Sequence, residues 1–192
     1  MSGASKSEAV RATERSVESS AGAVEWAAIG AGALAAVGIS IVLFTLGSGL
    51  GLSTASPWSF SNPSPTTFGM IAAIWLIVTQ WLASALGGYL TGRLRTKWVG
   101  IRTDEVFFRD TAHGFLAWAL ATVIAATFFA LGSAVASSAA LSAGAGNVTS
   151  EAAEQARQAA VTFSLFTAVS FLLGAFIGSV AGALGGYHRD SA

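Results

Sequence analysis

The chain has 192 residues, of which 53% are apolar and only 10% charged, where soluble domains carry about 25% charge. It contains no cysteine, which excludes disulfides, thiolate nucleophiles, Cys-ligated zinc and iron–sulfur clusters. Ten basic residues balance ten acidic ones and there are two histidines, so neither a nucleic-acid-binding basic field nor a histidine-built metal cluster is expected.

Residues 1–22 (MSGASKSEAVRATERSVESSAG) are polar, serine-rich and of mixed charge, and read as a mobile cytoplasmic tail ahead of a membrane domain over 23–192. A cleaved leader would have a basic start and an apolar run of about 7–15 residues. Here the apolar run is longer and the tail carries Glu8, Glu14 and Glu18, so the run is expected to stay as a helix.

A hydrocarbon core about 30 Å thick needs roughly 20 apolar residues as helix. Four stretches meet that need, near 26–50, 68–91, 113–135 and 161–187, with no Lys, Arg, Asp or Glu inside them. The expected fold is therefore an all-α integral membrane bundle of four transmembrane helices. Pro57, Pro63 and Pro65 place a loop between the first two spans, because proline removes a donor and clashes with the preceding turn. Gly47-Ser48-Gly49-Leu50-Gly51 reads as a helix end, with no Gly-Lys-Ser/Thr to make a phosphate cradle. A second loop is expected over 137–148, and Asn147-Val148-Thr149 at its end is a chance glycosylation triplet. Beyond it Ser150 can cap a helix that starts outside the bilayer, with Glu154 one turn before Arg157.

The loop between the second and third spans holds Arg93, Arg95, Lys97, Arg102 and Arg109. Lys6, Arg11 and Arg15 precede the first span and Arg189 follows the last, leaving only Arg157 on the other side. Basic residues mark cytoplasmic loops, so both termini and this loop are expected in the cytoplasm of a bacterial inner membrane. Trp26, Tyr89 and Tyr187 fall at the same ends, where amphipathic rings favour the headgroup level. Apolar residues from Trp98 to Phe108 are interleaved with charges, and Thr103 can cap a turn there, which predicts a short interfacial helix running into the third span.

The string Ala-Leu-Gly-Gly-Tyr occurs at 85–89 and again at 183–187, and Ala33–Val37 matches 119–123 with one change. In order, these matches predict a duplicated two-helix hairpin, repeat one over 26–94 and repeat two over 113–189, related by a pseudo-two-fold along the membrane normal. The run GGYLTGRLR, a polar loop, HGFLAWAL and a glycine-rich last span resemble the YrzE-like small four-helix bacterial membrane proteins. That resemblance implies the fold and carries no activity over to any residue.

Gly174, Gly178, Gly182 and Gly186, with Ser170 before them, recur every four residues along one helix face. Ser84, Gly88 and Gly92 do the same on the second span, and Ala28, Gly32, Ala36 and Ser40 on the first. Such faces admit a neighbouring backbone, and in lipid close packing has to supply most of the association. They can join helices within one chain or between chains. Gln80 sits in mid-span and needs hydrogen-bond partners, for which Ser40, Thr122 and Thr127 are at similar depth. His113 and His188 are expected at the cytoplasmic interface near Asp110 and Asp190, with no shared role.

No catalytic set or intramembrane ionisable residue is legible, and no cofactor is expected. The reading is a non-enzymatic membrane protein in the lipid bilayer, associating with a second copy or a membrane-protein partner through its small-residue faces. Two alternatives stand beside it. One is a channel or facilitator for a small solute, lined by Gln80, Thr122 and Thr127. The other is an accessory subunit of a larger complex, docked through the basic loop 92–112.

Overall fold

In the computed structural model, which describes residues 24–53, 64–97, 102–142 and 149–191, every element is a helix. The four are α1 (Trp26–Ser53), α2 (Pro65–Leu94), α3 (Thr103–Ser142) and α4 (Ser150–Asp190). Each is long and apolar enough to cross a membrane. The amino-terminal tail, Trp98, Pro57, Pro63 and the triplet's Asn147 and Val148 lie outside the described residues.

Local chemistry accounts for the ends. Ser64 caps α2 by accepting from the Thr67 N–H at 3.2 Å, and Pro65 opens the helix rather than belonging to the loop. Its missing donor and fixed φ suit that first position. α3 begins at Thr103, which joins the interfacial segment to the span as one helix. It also runs on through Ser142, past the loop expected from residue 137. That stretch contains alanines, the best helix formers, and no proline. α4 starts at Ser150, the residue expected to cap it, and its exposed first turns are tied by Arg157 donating to Glu154 at 2.7–2.8 Å.

The helices run alternately up and down. α1 packs on α2 and α3, α4 packs on α2 and α3, and α2 also touches α3; among the described residues α1 and α4 do not meet. Around the bundle the order is α1, α2, α4, α3.

The core occupies only one end. Among residues whose exposure is described, the buried ones lie within 28–36, 79–95, 110–117 and 174–186, and none lies in 37–53, 64–78, 118–142 or 149–173. The buried end is the one where Glu25, Arg95, Asp110 and Arg189 sit, called here the charged end. Most of its buried residues are Gly, Ala, Ser or Thr, while large apolar side chains such as Phe129 (75% exposed) and Leu172 (73%) point outward. That is the arrangement lipid favours. Burying a leucine against protein instead of lipid gains little, whereas small residues let backbones approach.

Candidate functional site: a buried ion network beneath a glycine-packed bundle

The glycine faces join helices of the same chain. A side chain at Gly88 would collide with the Gly178 carbonyl, and one at Gly92 with the Gly182 carbonyl, so α2 and α4 are in backbone contact. Gly178 and Gly182 also abut α3: a Cβ on Gly178 would stand 3.3 Å from the Gly114 carbonyl, and one on Gly182 2.8 Å from the Gly114 Cα. Gly186 faces the Asp110 carboxylate, and Gly32 of α1 faces the Gly87 carbonyl and Thr91 of α2. Ser84, Gly88, Gly92, Gly174, Gly178, Gly182 and Gly186 are all buried, whereas Ser170 is half-buried just outside the core. Gly87, Gly114 and Gly185 belong to the same packing but fall outside the four-residue registers, so spacing does not mark them. For Gly87 and Gly185, adjacency to Gly88 and Gly186 is the available signal.

Gln80 lies among other neighbours than those expected. Its Nε2 stands 2.8 Å from where a Gly174 Cβ would be, beside Trp118 Nε1 at 2.9 Å and Ser84 Oγ at 3.1 Å. The missing side chain of Gly174 makes room for this polar group. Ser84 donates to the Gln80 carbonyl at 2.7 Å, and Trp118 Nε1 is buried with no hydrogen-bond partner among the described residues. Thr127 is exposed and turned back to the Val123 carbonyl, Ser40 bonds the Ala36 carbonyl, and Thr122 is half-buried. Mid-span hydroxyls in a helix commonly satisfy themselves in this way.

Beneath the glycines lies a buried cluster of charged groups. Asp110, at 2% exposure, forms an ion pair with Arg95, Nη2 standing 2.7 Å from Oδ1, and accepts from Arg189 on both oxygens, from Nη1 and Nη2 at 3.2 Å each. Arg95 is also 2% exposed. Arg189 further donates to the Gly92 carbonyl at 2.9 Å and to Asp190 at 2.9 and 3.0 Å. One carboxylate on α3 thus ties the end of α2 to the end of α4. Burial pushes the Arg95 guanidinium pKa down and the Asp110 charge opposes it; arginine still keeps its proton in proteins.

The rest of the basic loop divides. Arg93 is exposed, Lys97 donates to the Asp190 carbonyl at 3.1 Å, and Arg102 and Arg109 pair with Asp104 and Glu105 on the surface. Arg95 therefore does not share the solvent-facing role expected of the cluster. Its spacing carries the signal: residues 88, 91, 92 and 95 lie on one helix face, so Arg95 continues the small-residue face one turn past the apolar stretch.

α1 is fastened by different groups. The Glu25 backbone N–H donates to His113 Nε2 at 2.9 Å, and His113 Nδ1 meets the Arg109 carbonyl at 2.6 Å. An imidazole that accepts at Nε2 and donates at Nδ1 is neutral, with its proton on Nδ1. The Glu25 carboxylate accepts from Thr96 N–H at 2.9 Å and from its hydroxyl at 3.0 Å. His113 is 1% exposed and so lies inside the bundle end, away from the headgroup-level position expected. His188 is exposed, with Nδ1 3.3 Å from the Tyr89 hydroxyl and the two rings edge to face.

Compared with known protein families, curated proteins and solved structures, the chain matches none.

Proposed function

We propose that this is a non-enzymatic integral membrane protein that works by association, with a second copy or as an accessory subunit of a larger membrane complex. The observation that carries this reading over a solute channel is the closure of the charged end. There, Gly88, Gly114 and Gly178 bring three helices into backbone contact directly above the Arg95–Asp110–Arg189 network. A path past Gln80 would have to part both. Because the glycine faces serve packing within the chain, the associating surfaces are sought elsewhere: the outward apolar faces toward the far end and the exposed part of the basic loop.

The charge distribution supports a bacterial inner-membrane location with the charged end in the cytoplasm. Reporter fusions after residues 60 and 145 are expected outside, and after 100 and 192 in the cytoplasm. The duplicated hairpin rests on its sequence matches alone: in the order α1, α2, α4, α3 a two-fold along the membrane normal would carry α1 onto α4 rather than α3, and the α2–α3 contact has no counterpart between α1 and α4 among the described residues. Membership of the YrzE-like proteins belongs to the same proposal.

The test is extraction in mild detergent followed by mass determination of the intact particle. The reading expects a species heavier than the 19.4 kDa chain, as a homo-oligomer or with a co-purifying membrane protein. A monomer throughout, together with solute flux in reconstituted vesicles, would favour the channel instead.

A further inference from the structure

The network around Asp110 joins α2, α3 and α4 through charges, but α1 enters the bundle on a different fastening. Its entry contact is the Glu25 N–H held by His113, an imidazole 1% exposed whose two nitrogens are both in use. Nδ1 gives its hydrogen to the Arg109 carbonyl at 2.6 Å, which leaves Nε2 as a bare acceptor for α1 at 2.9 Å. This bond exists in only one protonation state. An imidazolium carries hydrogens on both nitrogens and accepts nothing, so a protonated ring would turn an N–H toward the Glu25 N–H.

The surrounding charges are set by every element packed there. α1 contributes the Glu25 carboxylate, occupied by Thr96. The stretch after α2 contributes Arg95 and Lys97, the latter bonded to the Asp190 carbonyl. α3 contributes Asp110, already shared by Arg95 and Arg189, and Arg109, paired with Glu105. α4 contributes Arg189 and Asp190, which pair with each other. Both ring nitrogens already face backbone groups rather than a carboxylate, so a new positive charge at His113 would gain no hydrogen-bonded counter-ion.

We propose that His113 is a proton-operated latch on the entry to α1. Neutral, it clamps the start of α1 to α3. Protonated, it loses its acceptor and drives the Glu25 backbone away, while the Asp110 ion network keeps α2, α3 and α4 together. The latch holds at neutral and alkaline pH and opens as the medium is acidified.

The absence of cysteine allows nitroxides to be placed cleanly by Val24→Cys with Lys97→Cys, on either side of the Glu25–Thr96 contact. In detergent, dipolar broadening between the labels is expected at pH 8 and should fall at least twofold by pH 4.5. In His113→Gln, whose amide oxygen can accept from Glu25 but takes no proton, broadening should stay constant across that range. In Glu25→Gln the pH response should persist, because the titrating group is not the carboxylate. Constant broadening in the His113 protein, or the same pH midpoint in His113→Gln, overturns the latch, as does a response abolished by Glu25→Gln. A second measurement does not depend on those variants folding. Protein labelled with 15N-histidine and carrying His188→Gln has a single imidazole, which should show the Nδ1–H tautomer at pH 8. An Nε2–H tautomer there overturns the proposal.

Discussion

At the charged end, Gly88, Gly92, Gly178 and Gly182 each press against the backbone of a neighbouring helix; toward the far end, Gly38, Gly49, Gly69 and Gly132 have nothing within 4 Å of where a side chain would begin. The same residue type thus serves mainly as a backbone-contact surface at the charged end, where Gly30 alone among the described glycines is open, and mainly as bare helix in the far half, where Gly47 instead makes room for the Trp75 ring. The far half keeps α1 and α2 together through Trp75, whose Nε1 donates to the Leu43 carbonyl at 3.0 Å, and through Phe68, whose ring lies 3.6 Å from where a Gly51 Cβ would stand. The difference teaches what holds a bundle together in lipid. Without a hydrophobic drive between helices, cohesion collects where backbones touch and where charges need partners, and the large side chains are left to the lipid tails.

The hardest blow to this contrast is a change at Asp110. Asp110→Ala leaves the Arg95 and Arg189 guanidinium groups beside each other without their shared carboxylate. Breaking a buried ion pair on one side costs about 3–5 kcal/mol, so we expect the largest fall in thermal stability of the detergent-purified protein. If Asp110→Ala melts like wild type, the network is not what closes the charged end.

Next come Gly178→Leu and Gly182→Leu, which insert a side chain against Gly114 and Asp110 of α3. Overpacking a tight interface costs about 1–3 kcal/mol, and backbone neighbours give way less than side chains. The comparison is sharpened by Leu172→Ile, a volume-conserving change at a residue 73% exposed, which should leave the thermal transition where it is. Because these glycines pack within the chain, the variants should lose stability with their particle mass unchanged; loss of a heavier species would move the contact between chains.

The smallest effect belongs to the exposed start of α4. Arg157 donates to Glu154 and holds its carboxyl below the usual carboxylate range, with Gln158 assisting. A depressed carboxylate contributes above its unfolded pKa and loses that contribution as pH falls through the folded value. Amide exchange corrected for intrinsic rate should therefore show the first turns of α4 fraying faster in acid than the rest of the helix, and Glu154→Gln should remove the difference. An unchanged pH profile in that variant would assign the fraying to another group.

Much of the architecture is legible in the amino-acid sequence, because length and the absence of charge are enough to define a helix that crosses lipid. The spacing of Gly174, Gly178, Gly182 and Gly186 likewise marks a face, since four-residue steps align on a helix whatever it packs against. Helices apolar on every side give no stripe from which to tell partners apart, so nothing in the residue order says that Gly88 meets Gly178 or that Gln80 sits in the notch of Gly174. The ion network is hidden for another reason. Arg95 and Asp110 lie just beyond the uncharged stretches, where basic residues are ordinarily read for orientation, and only their continuation of the small-residue faces indicates burial. His113 escapes placement too, because its partner is a backbone N–H, which every residue but proline carries.

One matched pair of substitutions tests the two-half account most directly. Gly88→Ala and Gly132→Ala make the same chemical change, each within a helix, where alanine is intrinsically favoured by about 0.5–1 kcal/mol. At Gly88 the added methyl meets the Gly178 carbonyl, and at Gly132 it meets open space. The melting temperature of the purified protein should fall for Gly88→Ala and stay level or rise for Gly132→Ala. Equal shifts of the same sign would contradict a core confined to the charged end.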